Sequence, residues 1–537
     1  MSQQSMATHS PWQQEQQHAA LYMLMQAMKA SGERVDLFET HISWVIVTPA
    51  TAWKFKKAIR LDILDFTTLD ARRACCLEEL RLNRRLAGEL YLGLDAVIGS
   101  AQAPQLVDAE SCTEPVFDYA VRMQTFPQEA LWDHRARQGL LGFDEAAGLG
   151  QLLGQFHLDA AVASADGEFG DPARLLAVSS SNRHEIAALL GDVKAQQQLE
   201  QVSTTLEHSH ATLSPLRLAR KREGRVRECH GDLHCSNLLT LDGRSLAFDC
   251  IEFNPVLRWI DVIDDIAFAV MDLRMFGQDK IAACLLDAWL QVTGDYGGLR
   301  LLNASMAERA LVRCKVGLLR ARQQAPDAAQ VTHAEALAYL ALAWQCLHPQ
   351  PGRIIITHGF SGCGKSTVAA ALARVMGALR LRSDVERKRL LGMAPAQRPG
   401  AAERAALYAD SAREQVYLQL AEQAAHVVRS GMTVIVDAAF LQHGQRELLR
   451  SLAGDLQVPM WILDCRIDLA LLRERLAARV REGRDPSDAD LDVLAGQLAQ
   501  HDALTAAELR ETVIVDTGRE LPQEAARRVA ALVDLGH

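Results

Sequence analysis

Ile354-Ile355-Ile356-Thr357-His358-Gly359-Phe360-Ser361-Gly362-Cys363-Gly364-Lys365-Ser366-Thr367 decides how the second part of this chain folds. The apolar run 354–357 predicts a strand, and Val368, Leu372 and Val375 mark a helix over 367–376. Between them, residues 359–367 fit GxxxxGK[ST], the loop that joins a strand to a helix around phosphate. Glycines let successive backbone N–H groups curl about an anion, and the helix N-terminus adds a favourable dipole. Gly359, Ser361, Gly362, Cys363, Gly364, Lys365, Ser366 and Thr367 are therefore candidate nucleotide-binding positions. Lys365 would reach the β/γ oxygens and the Ser366 hydroxyl would ligate Mg²⁺. The competing reading is a glycine-rich turn with an exposed lysine, which the flanking strand and helix disfavour.

Working outward, strands are predicted at 379–382, 433–436, 459–464 and 512–515, with helices between them. Val416, Leu420, Ala424 and Val427 mark one of those helices. This alternation predicts an α/β domain with a parallel sheet covered by helices on both faces. Asp437 ends an apolar strand, where a carboxylate would face Mg²⁺ or its waters. Asp384, after the second strand, could take the proton of an attacking hydroxyl, and Arg387 could hold the acceptor. The bland alternative for Asp384 is a helix cap. Arg473, Arg475, Arg479, Arg481 and Arg484 crowd one basic segment, either a lid over phosphate or a solvated helix face. With these residues, 353–537 resembles the small P-loop kinases related to gluconate kinase, zeta toxins and the kinase domain of polynucleotide kinase. The motifs are Ser383-Asp384-x-x-Arg387 and Asp437-Ala438-Ala439-Phe440 through Arg446, which match that group's acceptor side.

Two prolines and a glycine in His348-Pro349-Gln350-Pro351-Gly352 mark a boundary after a helical stretch at 334–346. The expected organisation is a polar N-terminal segment (1–34), a first domain (35–345), a linker (346–352) and a P-loop domain (353–537). Short extended runs at Val35–Glu39, Trp44–Val47 and Ala52–Lys56 precede a helix on which Cys75, Glu79, Leu82 and Leu86 share a face. Beyond residue 140 the pattern is mostly helical. A small sheet followed by helical bulk predicts two lobes.

The first domain's chemistry is concentrated in His230-Gly231-Asp232-Leu233-His234-Cys235-Ser236-Asn237, followed by Phe248-Asp249-Cys250-Ile251-Glu252. An Asp, an Asn five residues on, and a second Asp after a short strand form the pattern of protein-kinase-like phosphoryl transfer. Asp232 would accept the hydroxyl proton, while Asn237 and Asp249 would hold metal ions. His230 and His234 read better as loop braces than as reacting groups. Over roughly 35–345 the chain closely resembles the aminoglycoside phosphotransferase and choline kinase superfamily. That resemblance implies an α+β two-lobed protein-kinase-like domain, with Lys54 on the α/β phosphates and Glu79 anchoring it. Lys56, on the same side of its strand, is a rival for that role. It also implies a hinge at Tyr119–Phe126 and buried structural carboxylates at Asp261 and Asp265. Where many kinases carry a glycine-rich clamp, this chain has Thr40-His41-Ile42-Ser43, and Ser43 is the available donor. The two-domain order further resembles a bacterial group of two-part kinases, which implies bifunctionality.

Lys+Arg 57 against Asp+Glu 67 leaves a net charge of −10, with no basic excess to announce nucleic acid as a partner. No run approaches the roughly 20 apolar residues of a membrane helix. The polar opening residues lack a secretory pattern, and the 11 cysteines form no CxxC pair, so free thiols in the cytoplasm are expected. Three readings follow. The first is a bifunctional ATP- and Mg²⁺-dependent phosphotransferase acting on small hydroxyl compounds, with GTP the alternative nucleotide. The second is a kinase gated by a P-loop switch, and the third a C-terminal kinase for nucleic-acid ends. Oligomeric state is left open.

Overall fold

The computed structural model describes residues 14–61, 64–393, 397, 400, 410–482 and 491–535. The chain divides into two compact units. One contains Met1–Leu140, Asp159–Asp171 and Leu218–Asp265; the other contains Leu141–Leu158, Pro172–Arg217 and Ile266–His537.

The first unit is built on an antiparallel six-stranded sheet. Its strands are β1 (Asp36–Glu39), β2 (Ser43–Val47), β3 (Thr51–Lys56), β4 (Tyr91–Ser100), β5 (Ala103–Asp108) and β6 (Asp118–Gln124). Their order is β1-β2-β3-β6-β4-β5, so the region expected as a hinge enters the sheet as a central strand, β6, before Thr125 and Phe126. The helix Leu69–Ala87 starts at Thr68, whose hydroxyl accepts from the Ala71 N–H at 3.2 Å. Its predicted face is its buried face: Cys75, Glu79, Leu82 and Leu86 are all inside.

The sequence places only a polar segment before residue 35, yet Gln14–Ala30 forms a helix. Ala20, Leu21 and Leu24 pack with Trp44, Ile46 and Phe55 of the sheet. Its buried Gln17 donates to the Lys56 carbonyl at 2.9 Å and accepts from the Ala58 N–H at 2.7 Å. Those bonds satisfy polar groups that burial would otherwise penalise. Among the small antiparallel pairs of the same unit are β7 (Val226–Glu228) with β10 (Trp259–Asp261) and β8 (Leu238–Leu241) with β9 (Arg244–Ala247).

The second unit contains a five-stranded sheet with every pairing parallel. Its strands are β11 (Ile354–His358), β12 (Leu379–Arg382), β13 (Val434–Asp437), β14 (Met460–Arg466) and β15 (Thr512–Asp516), in the order β12-β13-β11-β14-β15. Ile354, Ile355 and Ile356 are all fully buried, which an apolar run achieves only when both faces of a sheet are covered. On one face, helices Lys365–Met376 and Pro522–Leu535 pack over Ile355, Ile435, Leu463 and Val515.

The helices Asp279–Thr293, Leu299–Ala321 and Pro326–Leu347 belong to this same unit. Asp279–Thr293 lies along the edge strand β12. Asp287 accepts from the Arg380 N–H at 2.7 Å and pairs with its guanidinium at 3.2 Å. The Arg380 carbonyl in turn accepts from Gln291 Nε2 at 2.7 Å and from the Tyr296 hydroxyl at 3.2 Å. The unpaired backbone edge that open sheets expose is thus covered by side chains.

Candidate active sites

In the first unit the chemistry-bearing loop leaves β7 and enters β8. Asp265 organises it from below: its carboxylate accepts the His230 N–H at 3.0 Å and the Gly231 N–H at 2.8 Å. Gly231 has φ +88, and a Cβ there would come within 2.7 Å of the Leu257 carbonyl, so the turn requires glycine. His230 is fully buried, and its Nε2 lies 3.0 Å from the Phe248 carbonyl. Burial pushes its pKa down, so it braces the loop as a neutral ring. Asp261 holds Arg220 in a two-point ion pair at 2.7 and 2.8 Å.

Asp232 faces Asn237 and His234. Asn237 Nδ2 donates to the Asp232 carbonyl and to its Oδ2, both at 3.0 Å, and His234 Nε2 lies 3.3 Å from Oδ2. Asp249 has φ +62 and its N–H donates to the Tyr91 hydroxyl at 3.1 Å. Its side chain is 41% exposed, which leaves a carboxylate open to a cation, and it pairs with Lys54.

Lys54 also binds Glu79 at 2.9 Å, while Lys56 binds the second Glu79 oxygen at 2.5 Å and pairs with Glu252. Burial would raise the Glu79 carboxyl, but the two ammonium groups outweigh it and bring it down to about 2. Burial likewise opposes the charge on Lys54, and Asp249, Glu79 and Glu252 override it, holding Lys54 well above the usual lysine range. The rivalry between the two lysines thus ends with both on one carboxylate.

Sequence reading missed Asn83 and assigned no role to Glu252. Asn83 Oδ1 accepts the Cys250 N–H at 2.8 Å, and its position one turn after Glu79 was the available signal. Ser43, the donor expected near the clamp position, keeps a hydroxyl with no hydrogen-bond partner among the described residues. It is buried within β2, and its N–H already donates to Thr40 Oγ1 at 2.9 Å.

In the second unit, the phosphate-type loop crosses the carboxyl edge of the sheet. Gly359, Gly362 and Gly364 have φ +136, +83 and +92, where L side chains are strained. A Cβ on Gly359 would meet the Cys465 carbonyl at 2.6 Å, and one on Gly362 would meet Leu476 at 2.8 Å. Ser366 and Thr367 are exposed, whereas Cys363 and Lys365 are buried. Lys365 Nζ donates to the Phe360 carbonyl at 2.7 Å, within its own loop. Burial pushes the Asp437 carboxyl up, against the opposing pull of Ser366, Arg382 and Lys365. A hydroxyl, a carboxylate and an ammonium lining one cavity are the donor set that Mg²⁺ and phosphate oxygens take, so these residues fit that ligand.

A cavity of about 810 Å³ opens over this loop. Gly364, Lys365 and Ser366 line it, as do Asp384, Arg387 and Asp437. Asp384 lies in the first turn of the helix Ser383–Leu390 and pairs with Arg387 at 3.4 Å. The residue before that helix, Arg382, takes the cap position, and no side chain caps it, so Asp384 is not spent as a cap.

Of the basic segment, Arg475 is half-buried and donates to the Thr517 carbonyl at 2.9 Å, while Arg473 is exposed. The side chains of Arg479 and Arg481, and Arg484 altogether, lie outside the described residues. Arg446 departs from the acceptor-side role its motif implied. It is fully buried and bound to Glu508 at 2.7 Å and to the Phe440 carbonyl at 3.1 Å, where it ties the loop to the framework. Arg413, Tyr417 and Gln497 also line the cavity, from helices whose sequence carries no motif.

Residues 354–504 match a family model described as an AAA domain. An uncharacterized protein of Mycobacterium tuberculosis (strain ATCC 25618 / H37Rv) is 29% identical over 475 residues, 87% of this chain and 91% of the relative. Among solved structures, choline kinase from Cryptosporidium parvum Iowa II is 11% identical, covering 62% of this chain and 95% of its own with a TM-score of 0.40. A gluconokinase from Sinorhizobium meliloti 1021 is 21% identical, covering 35% of this chain and 98% of its own with a TM-score of 0.24. The expected secondary-structure class holds in both regions: an α+β region on an antiparallel sheet, then a P-loop α/β region whose parallel sheet is flanked by helices.

Proposed function

We propose that this chain is a bifunctional phosphotransferase, with residues 35–345 and 353–537 as its two catalytic domains and 346–352 as the linker. Each domain moves the γ-phosphoryl group of ATP to the hydroxyl of a small cytoplasmic molecule. The observation that carries this reading is the C-terminal cavity, where Lys365 and Ser366 share one space with Asp384 and Arg387. A nucleotide switch needs the first pair but has no use for a carboxylate–arginine pair on the acceptor side.

The roles follow from the chemistry of the side chains. Asp384, and Asp232 in the first domain, take the proton from the acceptor hydroxyl as its oxygen bonds to phosphorus. The bond between that phosphorus and the β–γ bridging oxygen breaks, and ADP leaves. Lys365 and Lys54 hold phosphate oxygens against the charge that develops there. Ser366 with Asp437, and Asn237 with Asp249, are the Mg²⁺ ligand sets; bound Mg²⁺ neutralises phosphate charge. Arg387 orients the acceptor.

The test measures nucleoside diphosphate release by the full chain across a panel of hydroxyl compounds, sugars and sugar acids included, with ATP and GTP in parallel. A compound used by the C-terminal site should lose ~10²-fold or more in turnover with Lys365→Ala and keep it with Asp232→Asn. A compound used by the N-terminal site should show the reverse. Acceptor-dependent release that neither substitution alters would overturn the assignment. Transfer to an oligonucleotide 5′ end and to no small molecule would favour the nucleic-acid reading.

A further inference from the structure

Gln497 lies on the helix Leu491–Ala499, 136 residues from the phosphate-type loop, yet its carboxamide makes two hydrogen bonds to one residue of that loop. The Ser361 N–H donates to Gln497 Oε1 at 2.9 Å, and Gln497 Nε2 donates to Ser361 Oγ at 2.9 Å. The Phe360–Ser361 peptide is therefore held at both ends, since Lys365 Nζ donates to its carbonyl oxygen at 2.7 Å. Lys365 is the group that meets the β/γ oxygens in such loops. Gln497 binds the other end of the same peptide, beside that lysine. Gln497 lines the same cavity as Lys365, Asp384 and Arg387.

The chemistry of this pair is that of an exchangeable contact. A phosphoryl oxygen only accepts hydrogen bonds, whereas a carboxamide both accepts and donates. The Ser361 N–H and hydroxyl are donors, and the first is now occupied by the Gln497 carbonyl oxygen. An arriving phosphoryl oxygen competes for that N–H, and the freed Gln497 NH₂ has a charged acceptor to which hydrogen bonds are stronger than to a neutral hydroxyl. A diphosphate has one phosphoryl group fewer to compete for that N–H.

We propose that Gln497 is a specificity-determining residue of the C-terminal site, exchanging Ser361 for the γ-phosphoryl group so that nucleoside triphosphate is distinguished from diphosphate. The inference rests on the loop being a nucleotide site, as proposed above.

The experiment is calorimetric titration of Mg²⁺·AMPPNP and Mg²⁺·ADP into the full chain carrying Asp249→Ala, which disables the N-terminal site, with and without Gln497→Glu. A carboxylate would accept both Ser361 donors and repel the phosphoryl charge. The expected result is AMPPNP binding weakened at least tenfold and ADP binding changed less than twofold. Equal weakening of both nucleotides, or of neither, overturns the inference while leaving the nucleotide site intact. Binding of neither nucleotide before Gln497 is altered removes the nucleotide site and the inference together. Should Gln497→Glu fail to fold, Ser361→Ala reads the same selectivity from the other side of the pair. AMPPNP weakened severalfold with ADP unchanged supports the inference, and parallel changes overturn it.

Discussion

Glu79 receives two ammonium groups in a fully buried place, and the residues around it divide by their access to solvent. The Lys54 side chain is 11% exposed and also touches Asp249, whereas Lys56 is wholly buried between Glu79 and Glu252. Lys54→Ala should therefore weaken Mg²⁺·ATP binding at the N-terminal site while the fold survives. Lys56→Ala should cost roughly 3 kcal/mol of stability, because it strands buried carboxylates without their partner. Denaturant unfolding beside calorimetry separates the two outcomes.

Glu79 also sets a pH dependence. Its folded pKa of about 2 lies below the ordinary value of 4.5, so its contribution is complete above 4.5 and disappears as pH falls toward 2. The stability gap between the native chain and Glu79→Gln should close over that window, as followed by circular dichroism. At the other site, Asp384→Asn should lower acceptor phosphorylation by ~10²–10⁴-fold and leave ATP binding nearly intact. Unchanged transfer would return Asp384 to a structural role.

Elements matter here through their ends and edges. The phosphate-type loop is shaped by glycines that cannot be replaced: Gly362→Ala would place a methyl 2.8 Å from Leu476 at a positive φ. Nucleotide affinity at the C-terminal site should fall by more than tenfold, measured by calorimetry on the full chain. The edge strand β12 presents a different problem, since its backbone groups find partners on a helix rather than on a strand. Asp287 supplies both a backbone acceptor and the counter-charge to Arg380. Asp287→Ala should destabilise the second unit by roughly 3 kcal/mol, the usual cost of orphaning one half of a buried pair. An unfolding midpoint unchanged by that substitution would show the pair to be dispensable.

At the scale of the molecule, the second unit draws together the helices after residue 266 and the P-loop sheet. Past the helix end at Leu347, residues 348–352 carry no helix or strand, but contacts on both sides of them tie these parts together. Asn303 Nδ2 donates to the Ser430 carbonyl at 3.1 Å, and Arg389 Nη2 donates to the Gln291 carbonyl at 2.9 Å. Residues 348–537 expressed alone would lose every one of these partners. Such a fragment should unfold at a lower temperature than the second unit of the intact chain, with scanning calorimetry as the check. Kinetic assignments are for that reason better made by substitution in the full chain than by truncation.

Two stretches were legible without coordinates because their chemistry is local. In 359–367 and in 230–237 the residues that must converge are near neighbours, so spacing alone encodes the turn that gathers them. The parallel sheet was legible for a related reason: a strand buried on both faces must be apolar throughout, as 354–357 is. Packing decided the rest. That Lys54 and Lys56 share Glu79, that Glu252 completes the set, that Arg446 serves the framework and that Gln497 reaches Ser361 all depend on segments far apart in sequence meeting in space. An amide or a guanidinium has the same identity whether it lines a cavity or fills a core. Its neighbours determine which, and only the tertiary structure supplies them.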